Sequence, residues 1–312
     1  RIPEGIANRL GDFAGVVMGK ALIFNRMLAI GVGLIGGSIC LAAKKKGLVS
    51  HVLGYSRKLE TAHEALKLGI VDECIAGPGD ANLRNVDAVV LSIPVRQYKQ
   101  VLTQFLPVLP PNCLIFDAGS TKSDVAVMLN ELEPQFPGLK SRFVLAHPIA
   151  GGESHGPSAA VANLFEGRNC VLCPLEQTSV VGLKKVEAFW TGIGAKLSTM
   201  NAMDHDEMFG AVSHLPHLLA FSYVASVLAH PKGADFMKEG GAGYRDFTRI
   251  AASSPEMWAD IFQNNSAALL NMLGAFEANI ASLRQAIEGD DRPALERILG
   301  QAADYRSQWK QN

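Results

Sequence analysis

Charge is scarce in this 312-residue chain: 19% of residues are charged and the formal net charge is −1. Without a global basic field, nucleic acid and anionic membrane surfaces are not expected as partners. Cysteine is scarce too. Five residues, an odd number at scattered spacings, exclude a disulfide framework and point to a reducing, cytoplasmic location. Cys170 and Cys173 have Cys-x-x-Cys spacing. They lie in an expected strand, where i and i+3 point to opposite faces, and no second pair joins them, so no metal is expected. No run of about eighteen apolar residues is free of charge, so no membrane span is read. There is no repeat and no low-complexity tract. The first residues lack an initiator Met and a secretory pattern. Residues 1–26 are therefore treated as an extension of unclear status.

What is present begins with glycine. Gly31-Val32-Gly33-Leu34-Ile35-Gly36 follows the apolar run Met27–Ile30 and opens a helical stretch. A strand that ends in Gly-x-Gly-x-x-Gly and turns into a helix makes a pyrophosphate site. The first glycine permits the turn, the second admits the phosphate, and the third lets helix and strand pack closely. The helix N-terminus then offers unpaired N–H groups. Gly31, Gly33, Leu34, Ile35 and Gly36 are thus candidate cofactor residues.

Strand and helix patterns alternate from residue 27 to about 200. Expected strands are Met27–Val32, His51–Tyr55, Ala88–Ile93, Cys113–Asp117, Phe143–Ala146, Asn169–Cys173 and Lys196–Thr199. Expected helices between them include Leu59–Leu68, Gln97–Leu106 and Val180–Trp190. This alternation predicts an α/β, Rossmann-type doubly wound parallel sheet over 27–200. Beyond Met200 the strand signal stops. Helices are expected at Asp204–Leu228, Pro255–Ile287 and Pro293–Trp309, making 201–312 an all-helical unit for substrate and dimerisation. Leu218, Leu219, Phe221, Tyr223, Val224 and Val227 on one helix are too apolar to stand in water on every face, so a homodimer is expected.

Ligands of an open α/β sheet bind beyond the carboxyl ends of its strands. There this chain presents Ser92 and Pro94, then Ala118-Gly119-Ser120-Thr121-Lys122, then His147-Pro148-Ile149-Ala150-Gly151. His147 is the candidate general base, since imidazole accepts a proton near neutral pH. Ser120 either hydrogen-bonds the substrate or His147, or caps the following helix. Lys122 is expected to be a solvated first-turn residue. Tyr55-Ser56-Arg57-Lys58 follows the second strand. No carboxylate stands there for a ribose 2′-OH, and Arg57 suits a 2′-phosphate, so Ser56 and Arg57 lean the choice to NADP over NAD. In the helical part, Ser213-His214-Leu215-Pro216-His217 sets a proline within a helix, with His214 and His217 at i, i+3 on one face. Arg245 and Arg249, after the glycine break at 240–243, are candidate carboxylate clamps or ordinary ion-pairing residues.

Together these segments resemble the prephenate/arogenate dehydrogenase family of tyrosine biosynthesis. The resemblance runs through Gly31–Ser38, Asp117–Lys122, His147–Gly151, Ser213–His217, Asp246–Ala251 and Pro255–Trp258 in the family's order. It implies oxidative decarboxylation of prephenate to 4-hydroxyphenylpyruvate, or of arogenate to tyrosine. By the same resemblance His147 is the catalytic histidine, Ser120 assists it, Arg249 binds a carboxylate, and His217 lies near the substrate side chain. Glu153 and Asp206 are implied at the site entrance. The chain shows neither a fused chorismate mutase segment nor room for a regulatory domain, so any tyrosine inhibition is expected at the active site itself. The alternatives are another hydroxy-acid dehydrogenase, which would show a distinctive lysine in the helical part, and a non-catalytic dinucleotide-binding dimer.

Overall fold

A computed structural model describes residues 22–152 and 154–309. They form two units, the first ending at Ala202 and the second beginning at Met203.

In the first unit, six parallel strands lie in the order β3-β2-β1-β4-β5-β6. They are β1 (Phe24–Ile30), β2 (Val49–Tyr55), β3 (Glu73–Cys74), β4 (Ala88–Leu91), β5 (Leu114–Asp117) and β6 (Phe143–Val144). Helices α1 (Leu34–Lys45), α2 (Leu59–Lys67), α3 (Tyr98–Phe105), α4 (Ser123–Leu132) and α5 (Leu139–Arg142) connect them. All four residues of β4 and of β5 are buried, which explains the unbroken apolar run of β4 and that of β5 as far as Phe116. Phe24, Phe116, Phe165, Phe189 and Trp190 fill the core with ring contacts of 5.1–6.3 Å. Phe24 is 1% exposed, so the unit begins before residue 27. Residues 24–26 are strand rather than extension, and residues 1–21 lie outside the described residues.

The strand expected at Phe143–Ala146 divides at Leu145. Its second half, β7 (Ala146–Pro148), joins a separate sheet with β8 (Asn169–Leu172) and β9 (Lys196–Thr199). β7 runs antiparallel to β8, and β8 runs parallel to β9 across the helix α6 (Val180–Gly192). The single sheet expected from the alternation is therefore two. A side chain causes the switch. β5 and β6 pair Ile115 with Phe143 and Phe116 with Val144. At the next step the Asp117 carboxylate takes the Ala146 N–H at 2.8 Å, and the backbone turns away to β8.

The second unit is helical: α7 (Ala202–Phe209, its first residue the last of the sheet unit), α8 (Leu215–Leu228), α9 (Gly233–Lys238), α10 (Ala242–Thr248), α11 (Pro255–Asn264), α12 (Ser266–Glu288) and α13 (Arg292–Gln308). Ser254 caps α11 by accepting the Met257 N–H, with Pro255 in the first turn, and Asp291 caps α13. The long helix expected at Pro255–Ile287 is broken at Asn265. A π-turn, Gly210–His214, joins α7 to α8. It absorbs Pro216, whose missing N–H would otherwise break the ladder. The resulting run, Ala202–Leu228, is long and apolar enough by length and composition to cross a membrane, which corrects the expectation that no such segment exists. Its buried residues include His205, Asp206 and His214, side chains suited to the interior of a helical unit rather than to lipid.

Candidate active site

The glycine loop is built as its spacing requires. Gly31 has φ +93°, a left-handed turn that only glycine adopts freely, and its N–H bonds the Tyr55 carbonyl at 2.9 Å. A Cβ on Gly36 would lie 1.9 Å from the Gly31 carbonyl oxygen, so the first turn of α1 packs directly on the strand end. Around Gly33 there is open space. The loop thus leaves a cradle at a helix N-terminus, which fits the pyrophosphate of a dinucleotide. Leu34 and Ile35 open the helix above it. Ser92 shapes the loop: its hydroxyl donates to the Gly31 carbonyl at 2.7 Å. Pro94 follows, exposed. At the end of β2, Ser56 is half-buried and Arg57 is exposed.

Next to this corner lies a buried polar knot that the sequence does not announce. Asp117, at the end of β5, is fully buried. One carboxylate oxygen accepts the Ala146 N–H at 2.8 Å; the other accepts the Gly119 N–H at 3.0 Å and the Tyr98 hydroxyl at 3.2 Å. Lys122 forms an ion pair with the same carboxylate and donates to the Ala146 carbonyl at 2.9 Å. Both backbone groups of Ala146 are therefore held by one ion pair. Burial, then the adjacent Asp117 charge, push the Tyr98 hydroxyl well above its usual range, so it stays a donor. Lys122 is 0% exposed, and the expectation of a solvated lysine is corrected. Asp117 is the partner that makes its burial tolerable.

The knot ties down two loops. Gly119 precedes Ser120, and Ala146 precedes His147, so a single carboxylate anchors the backbone beside both candidate catalytic residues. His147 lies in β7 opposite Val171, half-buried. Ser120 is half-buried and does not cap the helix: the cap position of α4 is Lys122.

In the helical unit, His217 donates from Nδ1 to the Ser213 carbonyl at 2.9 Å and stacks on Trp258 with ring centroids 3.6 Å apart. Burial holds it below the usual histidine range, and the Arg249 charge lowers it further against the Ser213 bond. His217 is neutral at pH 7, with Nε2 as an acceptor. Arg249, in the turn after α10, is the arginine whose charge reaches it. Arg245 is exposed on α10 and pairs with Asp246 at 3.5 Å. His214 lies in the interior of the helical unit. It is 1% exposed, its Nδ1 is engaged by Asn265 at 2.9 Å, and burial brings its pKa to about 4. It is a neutral interior group. Asp206 is 3% exposed and bound to His205 at 2.8 Å, so it does not stand at an entrance. Glu153 lies outside the described residues. Among the described residues no three His, Cys, Asp or Glu side chains cluster as metal ligands.

Two family models cover nearly the whole chain: the prephenate dehydrogenase nucleotide-binding domain over residues 39–199 and the prephenate dehydrogenase dimerization domain over residues 201–301. The chain belongs to the prephenate dehydrogenase family. A cyclohexadienyl dehydrogenase of Zymomonas mobilis is 33% identical over 86% of this chain and 90% of its own. A prephenate dehydrogenase of Bacillus subtilis is 33% identical over 90% of this chain and 75% of its own. The crystal structure of the Aquifex aeolicus prephenate dehydrogenase, in complex with hydroxyphenyl propionate and NAD+, superposes with a TM-score of 0.83 at 32% identity, covering 91% of this chain and 97% of that one. Family membership carries a nicotinamide dinucleotide as the cofactor class, consistent with the cradle at Gly33.

Asp117, Lys122 and Trp258 stand in motifs the sequence offers without the roles found here, and Asn265 was passed over altogether. For the first pair a signal existed. A carboxylate at the last position of a buried strand must find a cation, and Lys122 is five residues away.

Proposed function

We propose that this chain catalyses the oxidative decarboxylation of prephenate to 4-hydroxyphenylpyruvate. The observation that carries the reading is the Asp117 carboxylate, which anchors the backbone next to both Ser120 and His147 at the strand ends beside the glycine cradle. Nicotinamide supplies the hydride acceptor. His147 takes the proton of the ring hydroxyl as the carbinol C–H electron pair departs as hydride, and Ser120 hydrogen-bonds the same hydroxyl. The ring carboxylate then leaves as CO2, its bonding pair closing the aromatic ring and moving the C=O pair onto oxygen, which takes the proton back from His147 to give the phenol. Arg249 binds a substrate carboxylate, and His217 lies along the side chain. The protein contributes orientation and charge placement.

Ser56 and Arg57 favour NADP over NAD, because no carboxylate follows β2 and a guanidinium does. Arogenate, or both substrates, is the second reading, favoured by the likeness to a cyclohexadienyl dehydrogenase. The proposed assembly is a homodimer. Only Leu215 and Ala220 of the 14 residues in α8 are buried within one chain, and a second copy would cover the rest. An initial-rate assay crossing prephenate and arogenate with NAD and NADP tests the whole reading. Turnover of prephenate with NADP is expected; no turnover of either substrate with either nucleotide would overturn it.

A further inference from the structure

The break between α11 and α12 is a single buried residue, Asn265, 5% exposed. Its amide nitrogen donates to the Asp206 carbonyl at 2.7 Å and to His214 Nδ1 at 2.9 Å. A backbone carbonyl only accepts, so this nitrogen is the donor in both contacts. His214 Nδ1 must then be unprotonated, with the proton on Nε2. Both contacts fall around the π-turn, where α-helical hydrogen bonding is interrupted and the chain needs outside partners. The order continues outward: the His214 ring meets Trp258 edge-on at 6.1 Å, and Trp258 stacks on His217. His217 itself is tied to Ser213, inside the π-turn. The amide of Asn265 thus lies behind both attachments of His217, the aromatic platform and the backbone carbonyl.

We propose that Asn265 is a positioning residue for the substrate site of the helical unit, fixing the π-turn and the His214 tautomer so that His217 presents Nε2 in one orientation. This rests on the reading above that His217 lies along the substrate side chain. It assigns a functional reason for interrupting two helices at a buried amide.

The test compares Asn265→Asp and Asn265→Leu with the wild type between pH 5.5 and 9. Asparagine to aspartate keeps the shape and replaces a donor by an acceptor. At high pH the carboxylate leaves the Asp206 carbonyl without a donor and draws the neutral His214 ring to the other tautomer, with its proton on Nδ1. At lower pH the new carboxyl group takes up a proton and can again donate to that carbonyl. The other titratable groups acting on His214 are Asp206, which favours the charged ring, and His205 and His217, which oppose it. For Asn265→Asp, KM for prephenate is expected to rise roughly five- to tenfold at pH 8–9, about the weight of one lost hydrogen bond. It should return toward the wild-type value as the pH falls, with KM for the nucleotide unchanged. For Asn265→Leu the loss should be the same at every pH. A wild-type KM in Asn265→Asp, or a loss without recovery in acid, would overturn the proposal. Long-range nitrogen–proton spectra of the imidazoles decide it even if the wild type turned over no prephenate, which would count against the function and not against this inference. His214 with Nδ1 bare and a His217 signal displaced in Asn265→Leu are expected; a His217 signal that does not move would overturn it.

Discussion

His147 is the residue on which the proposed chemistry turns. His147→Asn should bind nucleotide normally and lose about 10²–10⁴ in kcat, the weight of a general base; a steady-state assay beside a nucleotide titration checks both halves. For Arg57→Ala the relevant quantity is the NADP/NAD ratio of kcat/KM, which should fall if the guanidinium meets a 2′-phosphate. At this scale the sequence was legible where a residue's type and local spacing determine its role. Gly31 and Gly36 do what their positions in the motif require, and His147 lies at a strand end. Legibility stopped where burial decides. Nothing local distinguishes a buried lysine in Ser120-Thr121-Lys122-Ser123 from a solvated one. His214 and His217 share the i, i+3 spacing of one helical face, yet one is interior and the other half-exposed. What buries each comes from elsewhere in the chain: Asn265 meets His214, and Trp258 covers one face of His217.

Among the elements, the β5 end and the start of β7 depend on each other through Asp117 and Lys122. Lys122→Met leaves a buried carboxylate without its cation, and a loss of about 3–5 kcal/mol is expected in chemical denaturation. A change below about 1 kcal/mol would mean that Asp117 takes up a proton or finds water instead. The β1–α1 junction has a different weakness. A methyl on Gly36 meets the Gly31 carbonyl, so Gly36→Ala should cost about 1–3 kcal/mol of stability and weaken nucleotide binding together, readable by thermal melts with and without nucleotide. Most strands were legible from their apolar runs, because both faces of the sheet are covered. The division of Phe143–Ala146 between two sheets was not, since it arises from a side chain 29 residues away in sequence taking the place of a backbone partner.

For the whole molecule, His214 links stability to pH. Its folded pKa, about 4, lies below the ordinary histidine value of 6.5. Above pH 6.5 folded and unfolded rings are both neutral and the full stability is present. As the pH falls below 6.5 the unfolded chain takes up the proton first, and on the order of 3 kcal/mol is lost by pH 4. Denaturation midpoints measured between pH 7 and 4.5 should fall accordingly, and less so in His214→Gln. Assembly is the second property at this scale. The exposed apolar side chains of the helical unit include Tyr223, Leu228, Leu270, Ile280 and Ile287, which a second copy would cover in the proposed dimer. Sedimentation velocity should show a dimer across micromolar concentrations; a monomer there would remove the proposed role of α8.

The stacking of Trp258 on His217 also has an optical consequence. The chain has three tryptophans: Trp190 sealed in the sheet unit, Trp258 beside the two histidines, and Trp309 half-exposed near the end with the Arg306 guanidinium 4.8 Å from its ring. A protonated imidazole quenches indole emission and a neutral one does so far less. The fluorescence of Trp258 therefore responds to titration of its histidine neighbours, while Trp190 supplies a constant blue-shifted background from the other unit. A variant carrying phenylalanine at positions 190 and 309 would give a label-free lamp inside the helical unit, bright in neutral buffer and dimming in acid.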